Sequence, residues 1–236
     1  MHARTSGTLT LPQMVFADPA FELLPPAERA AILSAAKTRS VKSGEYVYRR
    51  GDQPDGIYVI LSGMIRITTI SRTGDEFILD LSGRGLWIGE IAVLEGRERT
   101  HDAVAETRSN VLFLARSDVE QLLSDWSAFG RALLRLEARR FRRAAEWAEQ
   151  SATGPLDKLL AMRFLLLARR DPIFAMSGGN LDLKITQMTL SRLVGTTRQR
   201  VNQLLQEWEA RKLIKTSRGG VTILDLEALE RQVASF

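Results

Sequence analysis

From residue 41 to residue 115 the apolar positions of this chain fall in short dense runs: Tyr46-Val47-Tyr48, then residues 57–61, 64–70, 77–81 and 111–114. Between them stand Gly44, Gly51, Gly56, Gly63, Gly74, Gly83, Gly85 and Gly96. Runs of this length, rich in β-branched and aromatic residues and separated by glycine turns, predict antiparallel strands closed into a compact barrel or roll. On either side the texture is helical. Residues 25–36 begin Pro25-Pro26 and continue through Ala, Ile and Leu, predicting a short helix, because proline is tolerated in a first turn whose amides are unpaired. The first fifteen or so residues are rich in Thr and Ser without a period and predict a loose arm.

Ser117-Asp118-Val119-Glu120 has the spacing of a capping box and predicts a helix start, with a turn near residues 125–127. Helical spacing then continues to about Gln150. Leu134, Ala138, Phe141, Ala145, Ala148 and Ala152 recur at intervals of four and three, a narrow stripe of apolar and small side chains. Such a stripe suits a partner helix. A two-fold homodimer through Leu134, Ala138, Phe141, Ala145 and Ala148 is therefore expected, with packing on the chain's own roll as the alternative for this stripe. Ser151-Ala152-Thr153-Gly154-Pro155 ends the helix and marks a boundary. Residues 156–170 predict another helix and residues 171–180 a loop.

Residues 181–185 can form a strand, 186–194 a short helix with Leu190, Leu193 and Val194 inward, and Gly195-Thr196-Thr197 a turn. A second helix follows over 198–211, with Val201, Leu204, Leu205 and Trp208 at amphipathic spacing. Its outward side chains are Arg198, Gln199, Arg200, Asn202 and Gln203, donors and acceptors suited to base edges and phosphates. Residues 213–223, broken by Gly219-Gly220, predict a hairpin wing that carries Lys215 and Arg218 towards the DNA backbone. The whole is a winged helix-turn-helix, with Thr186, Gln187, Thr197, Arg198, Gln199, Arg200, Gln203 and Arg218 as the expected contacts to double-stranded DNA.

Charge supports that reading. The chain carries +5 in all, yet residues 184–218 hold eight basic side chains against Glu207 and Glu209, a net of +6 that leaves the remainder at −1. A basic window in a folded pattern points to a polyanion, although a solvated basic face gives the same count. The absence of cysteine excludes disulfides, thiolate-bound zinc and iron–sulfur clusters. No apolar run approaches the ~20 residues that span a bilayer, and the N-terminus lacks the apolar core of a signal peptide, so a cytoplasmic protein without membrane contact is expected. Only His2 and His101 exist, which argues against haem and against an oxygenase-type metal site, and no nucleophile arrangement suggests an enzyme. A sensor or adaptor that dimerises without touching DNA is the other rival. The basic window disfavours it.

Two motifs resemble those of the bacterial cyclic-AMP receptor protein and fumarate–nitrate regulator (Crp/Fnr) family, and the resemblance covers nearly the whole chain. One runs from Thr186 through Gly195 and Arg198 to Val201 and is similar to the family's helix-turn-helix. The other, Trp87-Ile88-Gly89-Glu90-Ile91-Ala92 with Arg97-Glu98-Arg99-Thr100, is similar to its phosphate-binding cassette. The resemblance implies an α+β fold: an N-terminal cyclic-nucleotide-binding-like β-roll (jelly roll), a long dimerisation helix and a C-terminal winged helix-turn-helix. The expected segments are a flexible arm over 1–20, an effector-binding roll with its leading helix over 21–116, a dimerisation helix region over 117–152 and the DNA-binding domain over 153–236.

The resemblance further implies RNA polymerase as a partner and a small anionic effector, cyclic AMP or cyclic GMP among the candidates. Ile88, Gly89, Glu90, Ile91, Arg99, Thr100, Arg143 and Ala144 would hold it. Glu90 would accept a ribose hydroxyl, while Arg99 and Thr100 would bind the cyclic phosphate. A purely structural Glu90–Arg99 ion pair is the alternative. Where the receptor presents two neighbouring hydroxyl side chains to adenine, Ala144 and Ala145 stand here, and they can neither donate nor accept. Base recognition is then missing or rebuilt, with Arg143 or Trp147 as candidates. The effector is another nucleotide, another small anion, cyclic AMP itself or none, and a role for His101 is left open.

Overall fold

The computed structural model describes residues 10–72, 74–170 and 181–234. The β-prone stretch forms eight strands: β1 (Lys37–Val41), β2 (Tyr46–Tyr48), β3 (Gly56–Ser62), β4 (Ile65–Ile70), β5 (Glu76–Ser82), β6 (Trp87–Ile88), β7 (Asp102–Ala105) and β8 (Ser109–Ala115). They make two four-stranded sheets, ordered β1-β8-β3-β6 and β2-β7-β4-β5. The central strands β3 and β8 pair antiparallel, Ile57 opposite Leu114 and Val59 opposite Leu112. Both faces of this pair are buried. Ile57, Val59, Leu112 and Leu114 point to one cluster, while Tyr58, Ile60, Val111 and Phe113 point to another that includes Val41, Ile65 and Ile88. Successive side chains on a strand alternate between faces, so a strand buried on both reads as a continuous apolar run.

Helices cover the outer face of that sheet. They are α1 (Leu11–Val15), α2 (Pro26–Ala35), α4 (Arg116–Asp125) and the start of α5 (Ser127–Thr153), with α3 (Glu90–Glu95) following β6. The expected loose arm is corrected here for its described part. Val15 and Phe21 are fully buried, the Trp87 indole N–H donates to the Val15 carbonyl at 2.9 Å, and the Phe21 and Trp87 rings stack 4.7 Å apart. Burying two such side chains is worth about 3–6 kcal/mol before ordering costs, enough to hold a short segment in place.

The expected capping box is also corrected. Helix α4 begins two residues earlier, at Arg116, with Ala115 rather than Ser117 as its cap and no side-chain capping bond; Glu120 instead pairs with Arg116 at 2.7 Å. The capping oxygen that matters comes from far away. At the start of α5 the Phe129 amide donates to Glu28 Oε2 at 2.8 Å, which accounts for the burial of that carboxylate.

The chain divides into two compact units, one from residues up to 67 with 82–142, the other from 68–81 with 143–236. The second contains α6 (Leu156–Arg170), β9 (Leu181–Leu183), α7 (Gln187–Val194), α8 (Arg198–Ala210), β10 (Ile214–Ser217), β11 (Gly220–Ile223) and α9 (Leu226–Ala234). The wing forms as expected: β10 pairs with β11, and β9 adds a third strand to its edge. Phe164, Leu190, Val201, Leu205, Trp208 and Ile223 are fully buried or nearly so. Leu204, expected inward, is half-buried. The expected loop over 171–180 lies outside the described residues.

Candidate functional site

The cassette is built where β6 runs into α3. Gly89 sits at φ +83°, and a Cβ there would lie 2.7 Å from Arg99 Nη1 and 3.2 Å from the Tyr48 ring. Only glycine allows both the left-handed turn and the approach of that guanidinium. Ile88 and Glu90, before and after it, are buried; Ile91 is half exposed.

Arg99 is turned inward and its side chain is 1% exposed. Its Nη1 donates to the Gly89 carbonyl at 2.5 Å, and its Nη2 donates to Asp55 Oδ1 at 2.9 Å and to the Gly56 carbonyl at 2.6 Å. The Tyr48 ring lies beneath the guanidinium, 4.3 Å from its carbon. One donor is left over: Arg99 Nε is buried with no hydrogen-bond partner among the described residues.

Glu90 does not pair with Arg99. Its Oε1 accepts from Arg140 Nη1 of α5, and Arg140 Nη2 donates to the Trp87 carbonyl, binding the long helix to the cassette. The other oxygen, Glu90 Oε2, is buried without a hydrogen-bond partner among the described residues. Glu137, one turn before Arg140, shares the same Nη1 at 3.2 Å. Burial, and next the Glu90 charge, push the Glu137 carboxyl up to about 7. Thr100 is exposed, its hydroxyl 2.9 Å from His101 Nδ1. Burial, with Arg50 nearby, lowers the His101 imidazole below its usual value.

Sequence reasoning named Glu90 and Arg99 but missed Asp55, Tyr48, Glu137 and Arg140. A pattern of isolated charges gives no sign of which element will face which. Of the remaining predicted ligand residues, Arg143 is half-buried and Ala144 exposed; both stand on the part of α5 that belongs to the second unit. Among the described residues no group of acidic or histidine side chains is placed to hold a metal.

In the second unit Thr186 and Thr197 cap α7 and α8, their hydroxyls accepting from the amides of Thr189 and Arg200. Gly195 turns between the helices at φ +68°. Arg198, Gln199, Arg200, Gln203 and Arg218 are all exposed, and Gln187 is half-buried. Arg192, counted in the basic window, is neutralised by Glu76 at 2.5 Å. On α5 the whole predicted stripe is exposed, Leu134 at 70% and Phe141 at 77%, while Phe129, Ala132, Leu133 and Leu136 on the other side are buried.

A β-roll with such a cassette, a long helix and a winged helix-turn-helix define a DNA-binding regulator. Comparison with known proteins agrees. The profile of the cyclic nucleotide-binding domain matches residues 38–125, and that of the Crp-like helix-turn-helix domain matches 160–232. The chain is 27% identical over 214 residues to the CRP-like cAMP-activated global transcriptional regulator of Mycobacterium tuberculosis, covering 90% of this chain and 95% of that one. It is 28% identical, with the same coverage, to the cyclic AMP receptor protein of Thermus thermophilus. A solved CRP-family transcriptional regulator from Thermus thermophilus superposes with a TM-score of 0.68 at 26% identity, over 83% of this chain and 96% of its own. The chain belongs to the Crp/Fnr family of transcription regulators. No helix among the described residues is long and apolar enough to cross a membrane.

Proposed function

We propose that the protein is a homodimeric, sequence-specific transcription regulator whose β-roll binds a cyclic nucleotide or another small anion that sets its affinity for DNA. One observation carries the effector reading: a buried donor, Arg99 Nε, and a buried acceptor, Glu90 Oε2, are both left without partners in the cassette. Each such atom costs about 1–3 kcal/mol unless something fills it. A ligand that brings an anionic oxygen and a hydroxyl satisfies both at once. The effector domain spans 21–116 and the DNA-binding domain 153–236, joined by the helix region over 117–152. Similarity to DNA-binding transcription regulators supports a role in the cytoplasm, through RNA polymerase and without catalysis.

A second reading has its own support. Asp55, Gly56 and Gly89 already engage both terminal nitrogens of Arg99, and Ala144 and Ala145 supply no hydroxyl. On that reading the regulator is constitutive and its cassette a structural remnant.

Calorimetry with cyclic AMP and cyclic GMP, on wild type and Glu90→Gln, separates the two. Glu90→Gln suits the test better than an Arg99 variant, because it keeps the side chain's size and an oxygen for Arg140, whereas losing Arg99 removes three hydrogen bonds within the roll. Binding weakened at least about tenfold by Glu90→Gln, with tighter operator binding in the presence of ligand, supports the first reading. No binding below millimolar and ligand-independent DNA affinity support the second.

A further inference from the structure

Among the outward side chains at the start of α8, Arg198, Gln199, Arg200 and Gln203 are exposed and make no side-chain hydrogen bond among the described residues. Asn202 differs from them. It stands one turn after Arg198 on the same flank of the helix and is half-buried, and its Oδ1 accepts a hydrogen bond from Gln187 Nε2 at 2.9 Å. Gln187 is the first residue of α7, in a turn fixed by the Thr186 cap, whose Oγ1 accepts from the Thr189 amide at 3.1 Å. The two helices of the motif thus meet at an amide–amide bond on their polar side.

An asparagine whose oxygen is engaged presents its Nδ2 hydrogens, so its free edge is a donor. In the major groove donors are met by guanine O6 and N7, adenine N7 and thymine O4. We infer that Asn202 is a specificity-determining residue that reads a hydrogen-bond acceptor on a base edge, and that Gln187 is the positioning residue that aims it. The inference rests on the DNA-reading role proposed above. The physical gain is in ordering. The free side chains of α8 must lose rotamer freedom on the DNA, whereas Asn202 has already been fixed by α7 before binding. The first helix of the motif therefore contributes to sequence choice without itself touching a base.

The test is selection from a random double-stranded DNA library by the full-length protein, wild type against Asn202→Ala, Asn202→Asp, Gln187→Ala and the double alanine variant. Asn202→Ala is expected to lose roughly 3- to 10-fold base preference at one position of each half-site, the size of one neutral hydrogen bond, with the rest of the motif intact. Gln187→Ala should blur the same position, and the double variant should be no worse than Asn202→Ala alone. Asn202→Asp keeps an oxygen for Gln187 but presents an acceptor, so its preference should move to cytosine or adenine, whose exocyclic amines donate. An unchanged motif in Asn202→Ala overturns the inference, as does a uniform loss on all sequences, which would mean a phosphate contact. If Gln187→Ala leaves that position sharp, the positioning role is wrong. A wild type that enriches no motif overturns sequence-specific binding itself, and this inference with it.

Discussion

Arg140 grips the Glu90 carboxylate by one oxygen, and the other is buried with no hydrogen-bond partner among the described residues. Glu90 is 2% exposed and Arg140 25%. Arg140→Ala should destabilise the protein by about 2–4 kcal/mol, since removing one member of a buried pair strands the other, with partial exposure of the arginine reducing the full penalty. Urea unfolding of Arg140→Ala, Glu90→Gln and the double variant measures it. The double variant should recover part of the loss.

Glu137 introduces a pH dependence of defined sign. Its folded value, raised to about 7 from an ordinary 4.5 mainly by burial, means that the folded state holds a proton the unfolded state releases. Stability is therefore lost as pH rises from about 4.5 to about 7 and levels off above. Thermal melts across this window should show a falling component that Glu137→Gln removes. An identical slope in the variant would assign the dependence to other groups.

Phe141 is largely exposed on a helix whose opposite face is buried. Phe141→Glu should leave each protomer folded, because no internal packing is lost, and yield monomers at micromolar concentration by light scattering. A full dimer in this variant would place the interface elsewhere.

Arg198 heads α8 with its guanidinium exposed and unpaired among the described residues. Arg198→Ala should weaken binding to the preferred site by roughly 1–3 kcal/mol and change binding to random DNA much less. Equal losses on both, with a salt dependence shallower by about one counterion, would make it a phosphate contact.

What the chain determines by itself is everything that depends on neighbours in sequence. The Gly195 turn, the amphipathic spacing of Val201, Leu205 and Trp208, the wing and the exposed stripe of α5 all follow from local periodicity and turn chemistry, which act within a few residues. Tertiary structure decided the rest. Strand β1 has an exposed, polar sequence and exists because it pairs with β8. The Ser117 capping signal lost to an earlier start, and α5 took its capping oxygen from Glu28, 101 residues away. The cassette shows the same division. The sequence supplied Gly89, Glu90 and Arg99 at recognisable spacing, but Asp55 lies 44 positions from Arg99 and Arg140 lies 50 from Glu90. Which charges meet inside a roll depends on strand order and on the face that a helix turns inward, and neither is written in the local pattern of any one of those residues.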